Sequence, residues 1–496
     1  MSNKNHSVGI RRPSAVVLSV FLLLPGTSLL AATSSATLDK VEKESSLASD
    51  KDMALAVERH LTNDPATPAH LIDVEVKDGI VTLSGSVSNL LARDRAGELA
   101  EAIQGVRSVT NTIMINPVKR PDKAIAKDAK TALARDPATD LYQAGLQVMN
   151  GNAILTGTVD SLAERELAAQ VVKGVTGVKA VKNDLAVKPK LKRKDNEVTG
   201  DIERMLKRNP WVDADSVDVT VKDGAVTLKG TVGSSIERTE AIRDSWVAGV
   251  MKVDAGGLTV KPGSEIARTN KPASDQEIEQ LVETAWRQHP RLSEFTPEVE
   301  SSNHVVTLRG QVDNLAAKKI AEDIAQNTTG VTRVENHIRV RPEKVPDDAA
   351  LAKEVKSALL RDPYVSRFDM NVSASNARIF LEGRVDSTFQ KNYSEFVASR
   401  VPGVVDVRNN LRVVDLEVPQ KTDRAVQQEI EYGLRWSPYI QDEGIAVSVK
   451  NGIAVLSGSA DSWEEKMVAS RIAERAGAES VLNQVQVKEQ SPQQKS

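Results

Sequence analysis

The chain contains no cysteine, few aromatic residues and none of the short motifs that mark common catalytic sites. Cys is absent from all 496 residues, and only 3% of them are aromatic. The absence of Cys excludes disulfides, thiolate nucleophiles and Cys-ligated metal sites. No HExxH, GxSxG or phosphate-loop spacing occurs in the sequence. We therefore predict a protein that is not an enzyme and that holds no metal or cofactor.

Charge is nearly balanced, and histidine is scarce. The chain has 65 basic and 68 acidic residues, for a net charge of -3. It therefore lacks the excess of positive charge that binding to a polyanion requires, and we expect no nucleic-acid partner. The histidines beyond the N-terminal segment occupy unrelated positions, which favours surface or turn roles over a shared metal site; they are His60, His70, His289, His304 and His337.

Long apolar runs are also missing. The apolar run that matters most is short and lies in an N-terminal targeting segment. The run Ala15 to Leu24 follows two arginines and is about ten residues long, too short for a membrane-spanning helix. We predict a secretory signal peptide over residues 1–32 and a polar linker over residues 33–49, so that the protein is exported. An uncleaved anchor and twin-arginine export are the alternatives for this segment. No Cys follows the run, which excludes lipoprotein processing.

What the sequence does contain is one stretch that occurs six times. Residues 74–87 read VEVKDGIVTLSGSV, with apolar and polar residues alternating on both sides of Asp78-Gly79. This pattern predicts a β-hairpin with a type I′ turn. Copies four and five have Asn303-His304 and Asn376-Ala377 at the turn. Positive φ is less favourable for His and Ala than for Gly, so we expect looser turns in those two copies.

Equal spacings define the repeat. A Gly recurs in the second strand of each predicted hairpin, and a Pro lies 20 residues before every one of these glycines. Apolar residues lie 4, 8 and 12 residues before each Pro. This spacing predicts a short amphipathic helix that the Pro ends. We interpret the aligned glycines as structural residues of turns and close packing rather than as a phosphate loop; they are Gly85, Gly157, Gly230, Gly310, Gly383 and Gly458.

A second helical pattern and a last strand complete each unit. Another Gly lies 19 or 20 residues after the aligned Gly, where we expect it to end the second helix in a left-handed conformation. An alternating segment follows it, as in Val109 to Ile115 and Val334 to Val340. Each unit therefore reads helix, strand, strand, helix, strand.

This order resembles the BON family, named for bacterial osmotically inducible and nodulation proteins. The Val-Xaa-Leu-Xaa-Gly core at Val81 to Gly85 and the later Gly105-Val106 with Asn111 carry the match. The third copy departs at Ala255 and the sixth at Gly477-Ala478. The resemblance implies an α+β fold: a tandem array of six small αββαβ domains, each a three-stranded mixed sheet with two helices. The predicted domains are residues 50–117, 122–189, 195–262, 274–342, 347–415 and 422–489.

Connections between the units are mostly short. The longest runs from Pro262 to Ser274 and divides the array into two halves of three, so we expect bending there. Each unit spans about 65 residues, near the lower limit for independent stability, so we expect neighbouring units to pack against each other.

A cationic run is the first candidate binding surface. Residues 188–194 read KPKLKRK and hold five cationic residues between the second and third copies. Such a run can bind anionic lipid headgroups, although a solvated, self-repelling linker has the same composition. The lipid-contact candidates are Lys190, Lys192, Arg193 and Lys194.

An aromatic residue follows the aligned Pro in copies three, five and six, as Trp211, Tyr364 and Tyr439. A ring at a helix end can enter a membrane interface or cover the end of its own core. Trp211 is our further lipid-contact candidate because it follows the cationic run. Asp73 and Asp78 beside the first hairpin suggest a cation site, but a turn role is sufficient for Asp78.

The family resemblance implies a periplasmic or membrane-associated protein that binds phospholipid and acts in osmotic or envelope stress. The expected partners are anionic phospholipid surfaces or envelope proteins. The main alternative is a protein-binding scaffold or chaperone-like factor that uses exposed strands or grooves between units. An enzyme is the third hypothesis, and its activity would have to come from residues without a shared motif.

Overall fold

Six copies of one helix-strand-strand-helix-strand unit follow one another in the structure. The predicted α+β array of six domains is thereby confirmed, and we call the units repeats 1 to 6. The predicted signal peptide and nearly all of the predicted linker lie outside the described residues. The computed structural model describes residues 48–136, 138–139, 143–190, 192–262, 273–344, 346–414, 421–440 and 444–488.

The first helix of each repeat ends where the Pro was expected to end it. The residue before the Pro is extended in every repeat, with ψ between 113° and 129°, and caps the helix. Side chains such as Ser49 and Thr422 accept a hydrogen bond from the first turn. The first helices are Asp50–Asn63, Asp122–Arg135, Asp195–Arg208, Asp275–Gln288, Asp348–Arg361 and Asp423–Trp436.

The second helices begin at an Asn or Ser whose side chain accepts a backbone hydrogen bond, as Asn89 does from Ala92. They are Leu90–Glu101, Leu162–Lys173, Ser235–Asp244, Leu315–Gln326, Thr388–Ser399 and Trp463–Ala476.

The prediction that a Gly ends the second helix is right in repeat 6 and wrong in repeats 1 to 5. Gly477 caps its helix with φ 105°. In the other repeats the Gly lies four or five residues beyond the helix, in a turn with φ between 90° and 97°. A Cβ at Gly105 would lie 3.0 Å from the Met53 sulfur, and one at Gly177 would lie 3.0 Å from Ile125. The Gly therefore lets this turn approach the first helix.

The second strand is the centre of each sheet, antiparallel to the first strand and parallel to the third. In repeat 1, Ile72 pairs with Gly85 and Val81 pairs with Val109. The hairpin strands are Ile72–Lys77 with Ile80–Val87, Gln143–Met149 with Asn152–Val159, Val217–Lys222 with Ala225–Val232, Glu298–Ser302 with Val305–Arg309 and Gln311–Val312, Met370–Ser375 with Arg378–Val385, and Ile445–Lys450 with Ile453–Ala460.

The third strand is continuous in three repeats and divided in the other three. The segments predicted as single strands in repeats 1 and 4 are divided just after an Asn whose side chain bonds to its own backbone two residues on, although the same contact occurs in the continuous strands of repeats 2 and 5. Asn336 Oδ1 accepts the Ile338 N–H at 3.1 Å. The third strands are Ser108–Asn111 and Met114–Ile115, Ala180–Val187, Lys252–Val260, Arg333–Asn336 and Arg339–Val340, Asp406–Val413, and Ser480–Asn483 and Gln486–Val487.

The prediction of looser turns in repeats 4 and 5 is wrong. His304 and Ala377 have φ of 63° and 61°, close to the glycines at the same place. In every repeat the first residue of the first helix is an Asp that accepts both turn N–H groups at 2.8–3.3 Å. These contacts hold the turn without Gly. The aspartates are Asp50, Asp122, Asp195, Asp275, Asp348 and Asp423.

Each repeat has its own core, and consecutive repeats share core residues. The first residue of the second helix reaches the core of the next repeat three times: Leu90 packs in the core of repeat 2, Leu162 in that of repeat 3 and Leu315 in that of repeat 5. Leu90 is only 1% exposed. The expected packing between neighbours is confirmed at these positions.

Repeats also pair by a second, recurring contact, which joins two pairs that are distant in sequence and one consecutive pair. The residue before the late Gly donates its N–H to the carbonyl of the last residue of a first helix. Gln104 donates to Trp436, Thr176 to Arg361 and Thr329 to Arg208, each at 2.9 Å. Repeat 1 thus pairs with repeat 6, repeat 2 with repeat 5 and repeat 4 with repeat 3. The expected bend lies in residues 263–272, outside the described residues.

Candidate functional site

The aligned glycines contact backbone. Gly85, Gly230 and Gly458 have φ of 105°, 130° and 111°. A Cβ at Gly85 or Gly230 would lie 2.1 Å from the carbonyl oxygen of the residue preceding the first strand. Gly310 is less crowded, since its nearest neighbour would be the Thr296 oxygen at 3.2 Å. These positions let two strands approach each other closely.

The cationic run divides into exposed lysines and one arginine with an internal role. Lys190 has an 83% exposed side chain and lies 2.6 Å from Asp160. Lys192 and Lys194 are exposed, and neither has a carboxylate within ion-pair distance among the residues that the structure describes. Arg193 instead donates to Asp201 at 2.7 Å and to the Ala248 carbonyl at 3.1 Å. Lys192 and Lys194 are therefore available to a ligand, and Lys190 becomes so if it leaves Asp160, whereas Arg193 joins parts of repeat 3.

Trp211 lies between repeats. Its ring meets that of Tyr439 edge-on, with centroids 4.4 Å apart, and the residue is half-buried. Tyr364, the equivalent residue of repeat 5, packs against the core of repeat 1. The aromatic position after the Pro thus serves contacts between repeats, which the sequence pattern did not predict.

A cavity of about 560 Å³ is lined by residues of repeats 1, 3, 4 and 6, including Trp211 and Tyr439. His60 and His289 also line it. Burial, and then Arg475 for His60 and Arg291 for His289, lowers the pKa of each imidazole to about 4. Both histidines are therefore neutral at neutral pH, and this cavity gains no positive charge from them.

Asp136 joins three repeats. Its carboxylate accepts hydrogen bonds from Arg291 of repeat 4 at 2.8 and 2.7 Å and from Arg400 of repeat 5 at 2.6 Å. Burial by itself would raise the pKa of Asp136, but the two guanidinium groups outweigh it and hold the pKa below its ordinary value. The carboxylate is consequently charged, and it compensates two arginines in the protein interior.

A second cavity, which we call the 2–5 cleft, lies mainly between repeats 2 and 5. It has a volume of about 640 Å³. Half-buried or buried apolar residues such as Leu167, Val171 and Val397 line it together with Arg361 and Phe396. Cavities of this size and mixed lining accommodate small ligands.

Sequence reasoning missed two sets of residues. The turn-capping aspartates had a signal, because an Asp stands 35 residues before every aligned Gly, as Asp50 does before Gly85. The residues that line the 2–5 cleft had none, because the repeat pattern does not tell which repeats pair.

The described residues contain neither a helix suited to crossing a membrane nor a cluster of metal ligands. Within the described ranges, no helix has the length and apolar character needed to cross a bilayer. Nor does this part of the chain place three or more His, Cys, Asp or Glu side chains where they would hold a metal ion.

Comparison with known proteins identifies relatives of part of the array. The chain is 30% identical over 158 residues to osmotically-inducible protein Y of Escherichia coli, a match that covers 31% of this chain and 79% of that protein. It is 33% identical over 168 residues to outer membrane lipoprotein DolP of Haemophilus influenzae, covering 33% of this chain and 86% of the relative.

A solved structure, the C-terminal domain of CdsD from Chlamydia trachomatis, aligns with 43% of this chain and 100% of its own, at 14% identity and a TM-score of 0.12. That score is too low to carry an argument. The BON domain profile, in contrast, matches six ranges that cover most of the chain: residues 49–117, 121–189, 194–262, 274–342, 347–415 and 422–489. The sequence match and the repeated fold together establish that this chain belongs to the BON domain family.

Proposed function

We propose that the chain is an exported envelope protein that binds anionic phospholipid surfaces under osmotic or envelope stress. Two relatives support the setting, since one is named as osmotically inducible and the other as an outer membrane lipoprotein. Neither name specifies a reaction, which agrees with a role that is not catalytic. The predicted signal peptide supports a periplasmic location.

The observation that carries the lipid proposal is the exposure of Lys190, Lys192 and Lys194 on the connection between repeats 2 and 3. A lysine near an anionic membrane contributes about 1 kcal/mol of attraction. Three lysines in five residues therefore provide a weak, salt-sensitive contact. Trp211 would have to leave Tyr439 to enter a membrane interface, so the proposal does not depend on it.

Vesicle co-sedimentation tests this proposal. The chain without residues 1–32 is mixed with phosphatidylcholine vesicles, or with the same vesicles containing phosphatidylglycerol, at low and high salt. We expect binding only to the anionic vesicles, and we expect salt to reduce it. The triple change Lys190→Gln, Lys192→Gln and Lys194→Gln should remove most of the binding.

A matched control removes the same charge elsewhere. Lys123, Lys127 and Lys130 are exposed residues on the first helix of repeat 2. Changing these three to Gln should leave vesicle binding nearly intact. Equal losses in the two triple variants would mean that net charge, and not this connection, determines binding. Absence of binding to anionic vesicles at low salt would refute the proposal.

The alternative function is a scaffold that binds envelope proteins, and the open sheet edges favour it. Within the described ranges, the first and third strands of each sheet pair only with the second strand. Such edges can accept an extended segment of another protein by strand addition. Binding of that kind would survive neutralisation of the three lysines and would depend little on salt, so crosslinking at high salt distinguishes the two functions.

A further inference from the structure

The interfaces between repeats 1 and 6 and between repeats 2 and 5 are built at equivalent positions. Both contain the N–H to carbonyl contact described above. In both, the Asp that precedes the aligned Pro faces an Arg of the paired repeat. Arg475 lies 3.7 Å from Asp64 in the first pair, and Arg400 lies 2.6 Å from Asp136 in the second. The two interfaces can therefore be compared position by position.

Aromatic side chains fill one side of the interface between repeats 1 and 6, whereas Leu99 and Ile472 on its other side line the cavity of about 560 Å³ described above. Tyr432 and Trp436 of repeat 6 pack against the core of repeat 1. The Arg59 guanidinium lies over the Tyr432 ring, 4.2 Å from its centroid. A space of only about 30 Å³ remains beside Tyr432.

The equivalent positions in repeat 5 leave the 2–5 cleft open. Tyr432 and Trp436 stand 6 and 2 residues before Pro438, and the residues at the same distances from Pro363 are Ser357 and Arg361. Both line the cleft, whose volume is about 640 Å³. The absence of two large rings thus leaves the cleft open on the side of the first helix of repeat 5.

The walls of the cleft are apolar and partly open to solvent. Val171, Val397 and Val401 are buried at its lining, and Leu167 is half-buried. Phe396 is 45% exposed, which is unusual for a large ring in a chain with few aromatics. An acyl chain of a ligand would cover this surface and gain from its burial.

Two cations at the cleft have no ion pair among the described residues: the exposed Lys353 and the half-buried Arg361. Arg135 is paired with Glu354, and Arg291 and Arg400 are paired with Asp136. Arg361 has no carboxylate within ion-pair distance among the residues described. Burial lowers its pKa, and Arg135 does so too, whereas Asp128 and Glu354 act in the opposite direction from farther away. The Nε of Arg400 is likewise buried without a hydrogen-bond partner in the described part of the chain. The site therefore offers a guanidinium group that no carboxylate of the described residues pairs with directly.

We propose that the 2–5 cleft binds a single-chain amphiphile with an anionic head, its carboxylate or phosphate on Arg361 and its chain along Val171, Val397 and Phe396. The volume lies within the range of about 300–1,000 Å³ that is usual for small-ligand sites. The site does not involve the three lysines of the vesicle proposal, so either proposal can fail without the other.

Isothermal titration calorimetry of the chain without residues 1–32 tests the site. The probes are dodecanoate, lauroyl lysophosphatidylglycerol and uncharged decanol, each below its micellar concentration. We expect one site per chain for at least one anionic probe. A preference for dodecanoate or for the lysophospholipid identifies the head group as a carboxylate or a phosphate.

Three variants locate the binding. Ser357→Trp places a ring where repeat 6 has one, and we expect affinity to fall by about tenfold or more. Arg361→Gln should weaken the anionic probe by about tenfold and leave decanol unchanged. Lys356→Gln removes an exposed charge of the same helix and should have no effect. Thermal unfolding and vesicle binding of Ser357→Trp should match those of the unchanged protein.

Three results would overturn the proposal: no heat of binding with either anionic probe, unchanged affinity in a folded Ser357→Trp variant, or equal weakening by Lys356→Gln and Arg361→Gln. The last result would reduce the effect of Arg361 to nonspecific charge attraction.

Discussion

At the residue scale, the six capping aspartates explain why the hairpin turn tolerates different residues. Asp275 accepts the N–H groups of Asn303 and His304, each at 2.9 Å, so the turn closes although His304 lacks the conformational freedom of Gly. Hydrogen bonds from Ser301 and from these N–H groups lower the pKa of Asp275. The carboxylate is therefore charged when it holds the turn.

His304 has a φ of 63°, which is strained for a residue with a side chain. Replacing His304 with Gly should remove this strain and stabilise repeat 4 by about 1 kcal/mol. We expect a higher midpoint of thermal unfolding in a scan at neutral pH.

The opposite change, Gly79→Ala in repeat 1, should lower the midpoint, because the new methyl would meet Arg107 at 3.0 Å in a backbone with φ 72°. A lower midpoint for His304→Gly would contradict this account of the turn.

Asp362 provides a pH-dependent test of a buried carboxyl. Burial raises its pKa to about 7, although the Tyr364 N–H, the Tyr393 hydroxyl and Arg400 act in the opposite direction. In the unfolded chain the pKa is about 3.9. The folded state holds the proton more tightly, so this contribution to stability is complete below about pH 4 and is lost as the pH rises through about 7.

Asp362→Asn should therefore stabilise the protein at pH 8, by on the order of 2 kcal/mol, and have little effect at pH 4. An Asn can still accept the Tyr364 N–H, which is 2.9 Å from Asp362 Oδ1, and can donate to the Tyr393 hydroxyl. Unfolding midpoints of both proteins at the two pH values measure the difference. An equal shift at both pH values would show that the carboxyl does not titrate in this range.

At the scale of elements, local signals in the sequence predicted most boundaries. The aligned Pro ended every first helix, because its effect on the preceding residue depends only on local geometry. The prediction for the late Gly failed in five repeats for a tertiary reason. Gly105 is required by the approach of Met53 on another helix, and a helix-end rule contains no information about such a contact.

The ends of the first helices also meet between repeats, and Asp136 is the clearest case. Asp136→Asn would leave Arg291 and Arg400 without their shared anion, and Arg291 has a side chain only 10% exposed. We expect a loss of about 3 kcal/mol in unfolding free energy, typical for breaking a buried ion pair. Asp184→Asn is the control, because the pair of Asp184 with Lys182 is mostly exposed and should contribute about 0–1 kcal/mol. Equal midpoints for the two variants would exclude a structural role for the junction.

At the scale of the whole molecule, the pairing of repeats could not be predicted from the sequence. The acceptors of the recurring contact are the backbone carbonyls of Trp436, Arg361 and Arg208, so the contact does not require one type of side chain at this position. The fold of a single repeat follows from spacings that occur six times, whereas each pairing depends on residues that occur once. For the same reason, the sequence of repeat 5 alone does not show that Ser357 and Arg361 line a cleft. Their role is recognised only by comparison with Tyr432 and Trp436, the equivalent residues of repeat 6.

The pairing predicts that the two halves of the array assemble without a covalent link. Each repeat of residues 48–262 pairs with one of residues 273–488, so the interface between the halves includes all three recurring contacts. Each half alone would expose aromatic or apolar surface, such as Trp436 in the second half. Co-expressed as separate chains, the halves should co-elute from a size-exclusion column at the position of the 1:1 complex. Asp136→Asn in the first half should weaken the complex, whereas Asp184→Asn should not. Elution as two separate stable monomers would show that each half is an independent unit, and would remove the basis for the 2–5 cleft.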